Sequence, residues 1–233
     1  DALASAITLS NFASTETLVD SGTATISSAN VGSYTISNLT GVSIADGTNG
    51  GLASNYTLTG GTHNFTVNRR VVGVSGTRLY DATTNAAASD LATHANLVGS
   101  QTLTLSGTGT IASKNVGSNK TVSIGTLALG DGTNGGLAAN YTLTGGTHQL
   151  TVNQRPLVSS FTRFYDGTTT INSDDTTNVS ISFNALQGGE NLTMDGTGTV
   201  SSKDVSAGSQ SVTSVNLALA NGTGGTAGLA SNY

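Results

Sequence analysis

The stretch Asp131–His148 reads Asp-Gly-Thr-Asn-Gly-Gly-Leu-Ala-Ala-Asn-Tyr-Thr-Leu-Thr-Gly-Gly-Thr-His. Asp46–His63 carries the same words 85 residues earlier, with Ser54 in place of Ala139 as the one difference. A partial third copy, Gly-Leu-Ala-Ser-Asn-Tyr, stands at Gly228–Tyr233. Other landmarks keep the step: Gly22–Thr25 maps onto Gly107–Thr110, Asn30-Val31-Gly32 onto Asn115-Val116-Gly117, and Tyr80-Asp81 onto Tyr165-Asp166. A period this long and this well kept is the sequence signature of a tandem array.

The composition fits a folded β protein. Charged residues are 9% of the chain, against about 25% in an average soluble protein. The balance is Gly, Ser, Thr, Asn and Ala. Disorder normally brings high net charge and few β-branched residues, whereas Val, Ile, Leu and Thr recur here in alternation. Thr suits the exposed face of a pleated sheet. With 8 Lys and Arg against 13 Asp and Glu, the net charge is −5. No basic footprint for nucleic acid exists, and nothing draws the chain to anionic lipid. No apolar run reaches membrane-spanning length, so neither nucleic acid nor membrane insertion is expected. Cysteine is absent. That suits chance, a reducing compartment, or export of an unfolded chain that no disulfide can trap midway; small extracellular domains commonly rely on disulfides.

Three repeats follow from the period: a partial one over 1–68, a complete one over 69–153, and a divergent one over 154–233. In the complete repeat, Val72 and Val74 alternate with small residues as a short strand. The Ala-rich segment Asn85–Asn96 is a candidate for one or two helical turns. Thr102–Leu105 alternates cleanly, and so does Thr121–Ile124. Leu127 and Leu129 then take the opposite parity, which a β-bulge near Gly125 would correct. Asn140–Leu143, Gly145-Gly146 and Gln149–Val152 read as a β-hairpin, Gly-Gly supplying the positive φ of its turn. Six or seven short strands in about 85 residues is the size of a small sandwich. The expected fold is therefore all-β, tandem Ig-sized β-sandwich repeats forming a rod, with β-grasp-like units or a β-solenoid as alternatives.

The joints Val67–Arg70 and Val152–Pro156 contain no Gly/Ser linker, and Pro156 fixes φ at the second of them. A stiff array is the expectation. The first repeat lacks the Val-rich opening strand and the Tyr-Asp corner; the third stops at Tyr233, before its final hairpin. These out-of-phase limits suggest a piece of a longer array. An incomplete repeat would expose a sheet edge, so fraying or completion by a neighbouring chain is expected. The third repeat is also longer: Tyr165 to Tyr233 spans 68 residues, Tyr80 to Tyr141 only 61. Its additions fall around Asp174–Gly189 and Asn221–Ala227, as surface loops.

The series Tyr165-Asp166-Gly167-Thr168, Gly196–Thr199 and Asn140–Leu143 resembles the YDG-type repeat, found in arrays within large secreted bacterial proteins of the filamentous haemagglutinin and two-partner secretion kind. The likeness covers one complete and two partial repeats; Ala82 stands where the namesake Gly belongs in the second. The resemblance implies an extracellular protein, secreted or on the surface of a Gram-negative bacterium, with this segment as the repetitive body of an adhesin. It carries over no catalytic, cofactor-binding or metal-binding residue.

The residues themselves offer few sites. His63 and His148 lie one repeat apart and His94 stands alone, so strand positions are expected rather than metal ligands. The loops beginning at Asp46 and Asp131 could offer oxygen ligands to Ca²⁺, but each brings one carboxylate, and Asn221 replaces it in the third copy. Asp, Asn and Gly also suit tight turns. Asp81 and Asp166 are expected to cap nearby backbone N–H groups, with Tyr80 and Tyr165 packing at the sandwich end. Glycoside hydrolysis needs two acids facing across a cleft, and Asp174 and Asp175 are adjacent. No Ser-His-Asp set recurs with the repeat. Neither an enzyme nor a cofactor is expected. The Thr-x-Thr runs at Thr102–Thr104 and Thr108–Thr110 are far from the short period of an ice-binding ladder. Trp is absent, removing the usual platform for sugar rings. Triplets for glycan attachment occur at Asn38, Asn55, Asn64, Asn119, Asn140, Asn178, Asn191 and Asn221, near chance in such a chain.

The function expected is therefore a stalk that spaces a binding tip from the cell, with neighbouring repeats as its main partners. The rival readings are a module that binds a host or matrix glycan or protein, and one that self-associates into surface fibres or biofilm matrix.

Overall fold

The computed structural model describes residues 2–3, 8–36, 38–214 and 216–233. Among them, every regular element is a β-strand or a single turn of 3-10 helix, and the protein is all-β. No described helix is long and apolar enough to cross a membrane. Two compact units are present. One is built from 1–72, 96–103 and 129–145, the other from 73–95, 104–128 and 146–233.

In the first unit, Leu18–Ala24 lies between Ala2–Leu3 and Val42–Asp46, antiparallel to both. Gly32–Thr35 pairs antiparallel with Asn64–Val67, and Arg70–Val71 runs parallel to Tyr141–Thr142. At the first joint, two residues, Asn68 and Arg69, separate the strand Asn64–Val67 from Arg70–Val71. Ala24, Ile36, Val72, Leu103, Tyr141 and Leu143 are its buried apolar side chains.

The second unit is organised by a six-stranded sheet, in the order Asn85–Ala87, Thr108–Ile111, Gly117–Ser123, His148–Asn153, Gly73–Leu79, Thr93–Ala95. The closing strand His148–Asn153 sits in the middle, antiparallel to Gly117–Ser123 and parallel to Gly73–Leu79. Alternate residues His148, Leu150 and Val152 point inward and are buried, as period-2 geometry requires. They share the unit with buried Val74, Tyr80, Ala86, Leu91, Ile111, Val122 and Leu127. In the third repeat, Ser159–Arg163 pairs with Val179–Phe183, Thr197–Thr199 lies between Thr170–Asn172 and Thr213–Ser214, and Leu192–Asp195 pairs with Ala218–Asn221.

Three local expectations are corrected. The Ala-rich segment forms no α-helix: strands Asn85–Ala87 and Thr93–Ala95 flank one 3-10 turn, Ala88–Asp90. Edge pairing to Thr108–Ile111 and Gly73–Leu79 overrides the Ala propensity. Gly125 (φ +55°) ends the strand rather than bulging it; Leu127 N–H closes a turn on Ile124 O at 2.9 Å, and Ala128–Asp131 begins a strand of another sheet. The register shift lies earlier, between Gly117 and Lys120, where Asn119 adopts φ +48°. Finally, Tyr141–Thr142 and His148–Asn153 do not form a hairpin. A two-residue type I′ turn needs positive φ at both positions. Gly145 has it (φ +82°) and Gly146 does not, so each strand takes a parallel partner instead.

Candidate functional site: the clasp between repeats

The repeated words build one device three times. The Leu-Ala-x-Asn-Tyr segment winds into the 3-10 turns Ala53–Asn55, Ala138–Asn140 and Ala230–Asn232. The first N–H of each turn is held by a side chain of the preceding loop. Asp46 Oδ1 accepts from Ala53 N–H and Asp131 Oδ1 from Ala138 N–H, both at 2.7 Å; Asn221 Oδ1 accepts from Ala230 N–H at 2.8 Å. An amide oxygen replaces a carboxylate with no loss of role, because an acceptor is all the turn requires. Among the described residues, no three His, Asp or Glu side chains gather as metal ligands.

The Asn of the turn then reaches another repeat. Asn140 Oδ1 accepts the Val31 N–H and its Nδ2 donates to Asn30 Oδ1, both at 2.8 Å. One repeat on, Asn232 Oδ1 accepts the Val116 N–H at 2.9 Å, and its Nδ2 donates to Asn115 Oδ1 at 3.1 Å. The same two-pronged contact is made twice, by equivalent residues, across 110 and 117 positions. Asn232 is buried to 1% exposure, where an amide is tolerated only when its donors and acceptors are met. The joint strand completes the seat: Arg155 N–H donates to Asn232 O at 3.0 Å, matching the pairing of Arg70–Val71 with Tyr141–Thr142.

The neighbouring Tyr locks the turn to its own repeat. Tyr56 Oη accepts the Ala13 N–H and donates to Glu16. Tyr141 accepts from Val98 N–H and bonds Gln101. Tyr233 accepts from Gln187 N–H at 2.9 Å and donates to Glu190 Oε2 at 3.0 Å. Glu190 extends the clasp. Its Oε1 accepts from Tyr80 Oη at 2.6 Å and from Lys114 Nζ at 2.5 Å, so a third-repeat carboxylate is read by two second-repeat side chains. The Tyr80 and Tyr233 rings meet edge to face, 5.3 Å apart at 77°, and Lys114 Nζ lies 5.9 Å from the Tyr80 ring centre.

The electrostatics follow from this burial. Burial alone would raise the Glu190 carboxyl, but hydrogen bonds from Lys114, Tyr80 and Tyr233 outweigh it and hold the group below its ordinary range. Burial first, and the Glu190 hydrogen bond second, push the Tyr80 phenol up to about 12. The Glu190 hydrogen bond raises Lys114. The node is a charge-assisted lock with its donors committed, and it presents no activated nucleophile.

The Tyr-Asp corners carry the expected caps. Asp81 Oδ1 accepts from Thr83 N–H at 2.9 Å and Oγ1 at 3.0 Å, and Arg78 pairs with the same carboxylate. Asp166 repeats this with Thr168 and Arg163. The two tyrosines part company: Tyr80 is fully buried, while Tyr165 is 61% exposed. Asp174 and Asp175 lie in a turn, where Asp175 Oδ1 accepts the Asn178 N–H at 3.1 Å. His63 Nε2 contacts Leu58 O at 2.8 Å, His94 pairs in register with Val74, and His148 opens the closing strand. The sequence reading found the turn words but missed Asn140, Asn232, Lys114 and Glu190. Only the exact recurrence of Asn-Tyr and Asn-Val hinted at them.

These features define an all-β protein. Residues 66–149 match the family model of the YDG domain. No curated protein matched the chain, and no solved structure did.

Proposed function

We propose that this segment is a structural stalk of a bacterial extracellular adhesin, secreted or held on the surface of a Gram-negative cell, where it spaces a binding tip. The observation that carries the reading is the twice-made clasp, Asn140 on Asn30-Val31 and Asn232 on Asn115-Val116. A contact rebuilt at every joint from the same residue types is what a load-transmitting array requires. Side chains at the clasp are spent on one another, so the reading assigns no catalysis and no cofactor; neighbouring repeats are the partners. Small-angle X-ray scattering over a concentration series tests it. An elongated particle of constant mass is expected, and a compact particle would overturn the stalk.

A second reading, self-association into fibres or matrix, is favoured by the sheet of Ser159–Arg163 and Val179–Phe183, which among the described residues has two strands. Mass that grows with concentration in the same series would put it first.

A further inference from the structure

The strand Val179–Phe183 pairs antiparallel with Ser159–Arg163, its one strand partner among the described residues. Asn184 N–H donates to Val158 O and Phe164 N–H to Asn178 O, both at 3.1 Å. An antiparallel ladder alternates its bonds, so Ser180 and Ser182 turn their main-chain groups toward that partner. Ile181 and Phe183 turn theirs to the open side. Val179 turns its carbonyl there too, while its N–H is taken by Asp175 O at 2.8 Å. The matching edge of the second repeat, Thr93–Ala95, has three residues and this one five. Edges are commonly blunted by charge, proline or a bulge; residues 178–184 carry none of these. They read Asn-Val-Ser-Ile-Ser-Phe-Asn, an order of residue classes that is the same in both directions about Ile181. Val179, Ile181 and Phe183 are half-buried on one face, and Ser180 and Ser182 are exposed on the other.

We propose that this edge is a dimer interface, and that its occupant is the same strand of a second copy, paired antiparallel about a two-fold axis at Ile181. A two-fold contact presents one patch to itself, which is what a strand that reads alike in both directions allows. Ile181 meets its own counterpart, Val179 meets Phe183 of the second copy, and Ser180 meets Ser182. Apolar side chains thus face apolar ones on the half-buried side, and hydroxyls face hydroxyls on the exposed side. Ile181 exchanges both main-chain bonds with its counterpart, and each Phe183 N–H donates to the Val179 carbonyl opposite. Sliding the copies by two residues would set Ser180 against Asn184 and Val179 against Ala185, which leaves the strand at φ +60°. The contact carries no charge along its length, and the acids Asp174 and Asp175 of the two copies fall at its opposite ends. The proposal deepens the self-association reading, on which it rests, by giving it a surface and a closed pair; it uses nothing of the stalk reading.

Sedimentation equilibrium of the whole chain should show a monomer–dimer equilibrium. Ser180→Lys with Ser182→Lys, at two exposed positions, sets lysine against lysine and should weaken the dimer at least about tenfold. Ser180→Lys with Ser182→Glu sets lysine against glutamate in the same register and should restore it. Cysteine chemistry reads the register, the chain having none of its own. Ser180→Cys chains mixed with Ser182→Cys chains should form disulfides faster than either variant alone. A chain that stays monomeric throughout would overturn the interface and the self-association reading together. Association unmoved by the lysine pair, not recovered by the Lys–Glu pair, or cross-linked fastest by Ser182→Cys alone would overturn this interface and leave self-association to another surface.

Discussion

At the residue scale, Glu190 matters most to the clasp. Tyr80 is fully buried and donates to it, so Tyr80→Phe removes a hydrogen bond to a charged group and should cost about 1.5–3 kcal/mol. Urea unfolding of the unit containing 73–95 and 146–233 would register the loss. The pH dependence has two limbs. Glu190 is lowered from 4.5, so its contribution is complete above about pH 4.5 and fades as pH falls through the lowered folded value. Tyr80 is raised from 10.0 to about 12, so its contribution is complete below pH 10 and fades as pH climbs toward 12. Glu190→Gln should flatten the acid limb of a plot of urea midpoint against pH; an acid limb unchanged in that variant would remove Glu190 as its source.

At the scale of elements, one glycine per repeat bends a strand. Gly22, Gly107 and Gly196 hold φ of +96°, +85° and +104°. A Cβ at each would run into a backbone carbonyl, of Gly41, Thr126 and Asn216 in turn. Gly107→Ala therefore faces both a left-handed backbone and a clash, and should cost more than about 1 kcal/mol. Thermal unfolding of the variant against Gly99→Ala separates the two effects, since Gly99 shares a positive φ (+55°) with nothing nearby. Equal losses would mean that backbone conformation alone accounts for the cost.

The alternation of Thr121–Ile124, the Asp81 cap and the Gly turns were legible in the sequence because each is decided within a few residues. The parallel pairing of His148–Asn153 with Gly73–Leu79 was not. A Gly-Gly pair between two alternating runs looks the same whether the second run folds back or moves to a distant edge. The clasp was hidden for a related reason. Asn140 and Asn232 resemble any turn Asn, and their partners lie more than a hundred positions away.

At the scale of the whole molecule, the repeats are built from the same words but not from the same charges. Lys114 and Glu190 pair across one clasp. A charge-reversal cycle tests whether they recognise each other. Lys114→Glu and Glu190→Lys should each destabilise, and the double variant should recover part of the loss, with a coupling of about 0.5–3 kcal/mol. Strict additivity in chemical unfolding would mean that the pair packs without recognition.

That pairing also turns a repetitive chain into an ordered one. At the place of Lys114 the first repeat carries Ala29, and at the place of Glu190 the second carries Gln101. Neutral is therefore matched with neutral at one joint and cation with carboxylate at the next. Loss of the second 85-residue copy would leave two Asn-Tyr turns in place, yet set Glu190 against alanine, a buried acid with no cation. The array thus spells out its own sequence of members, as addresses do along a street, and a shuffled copy would be marked by misplaced charge.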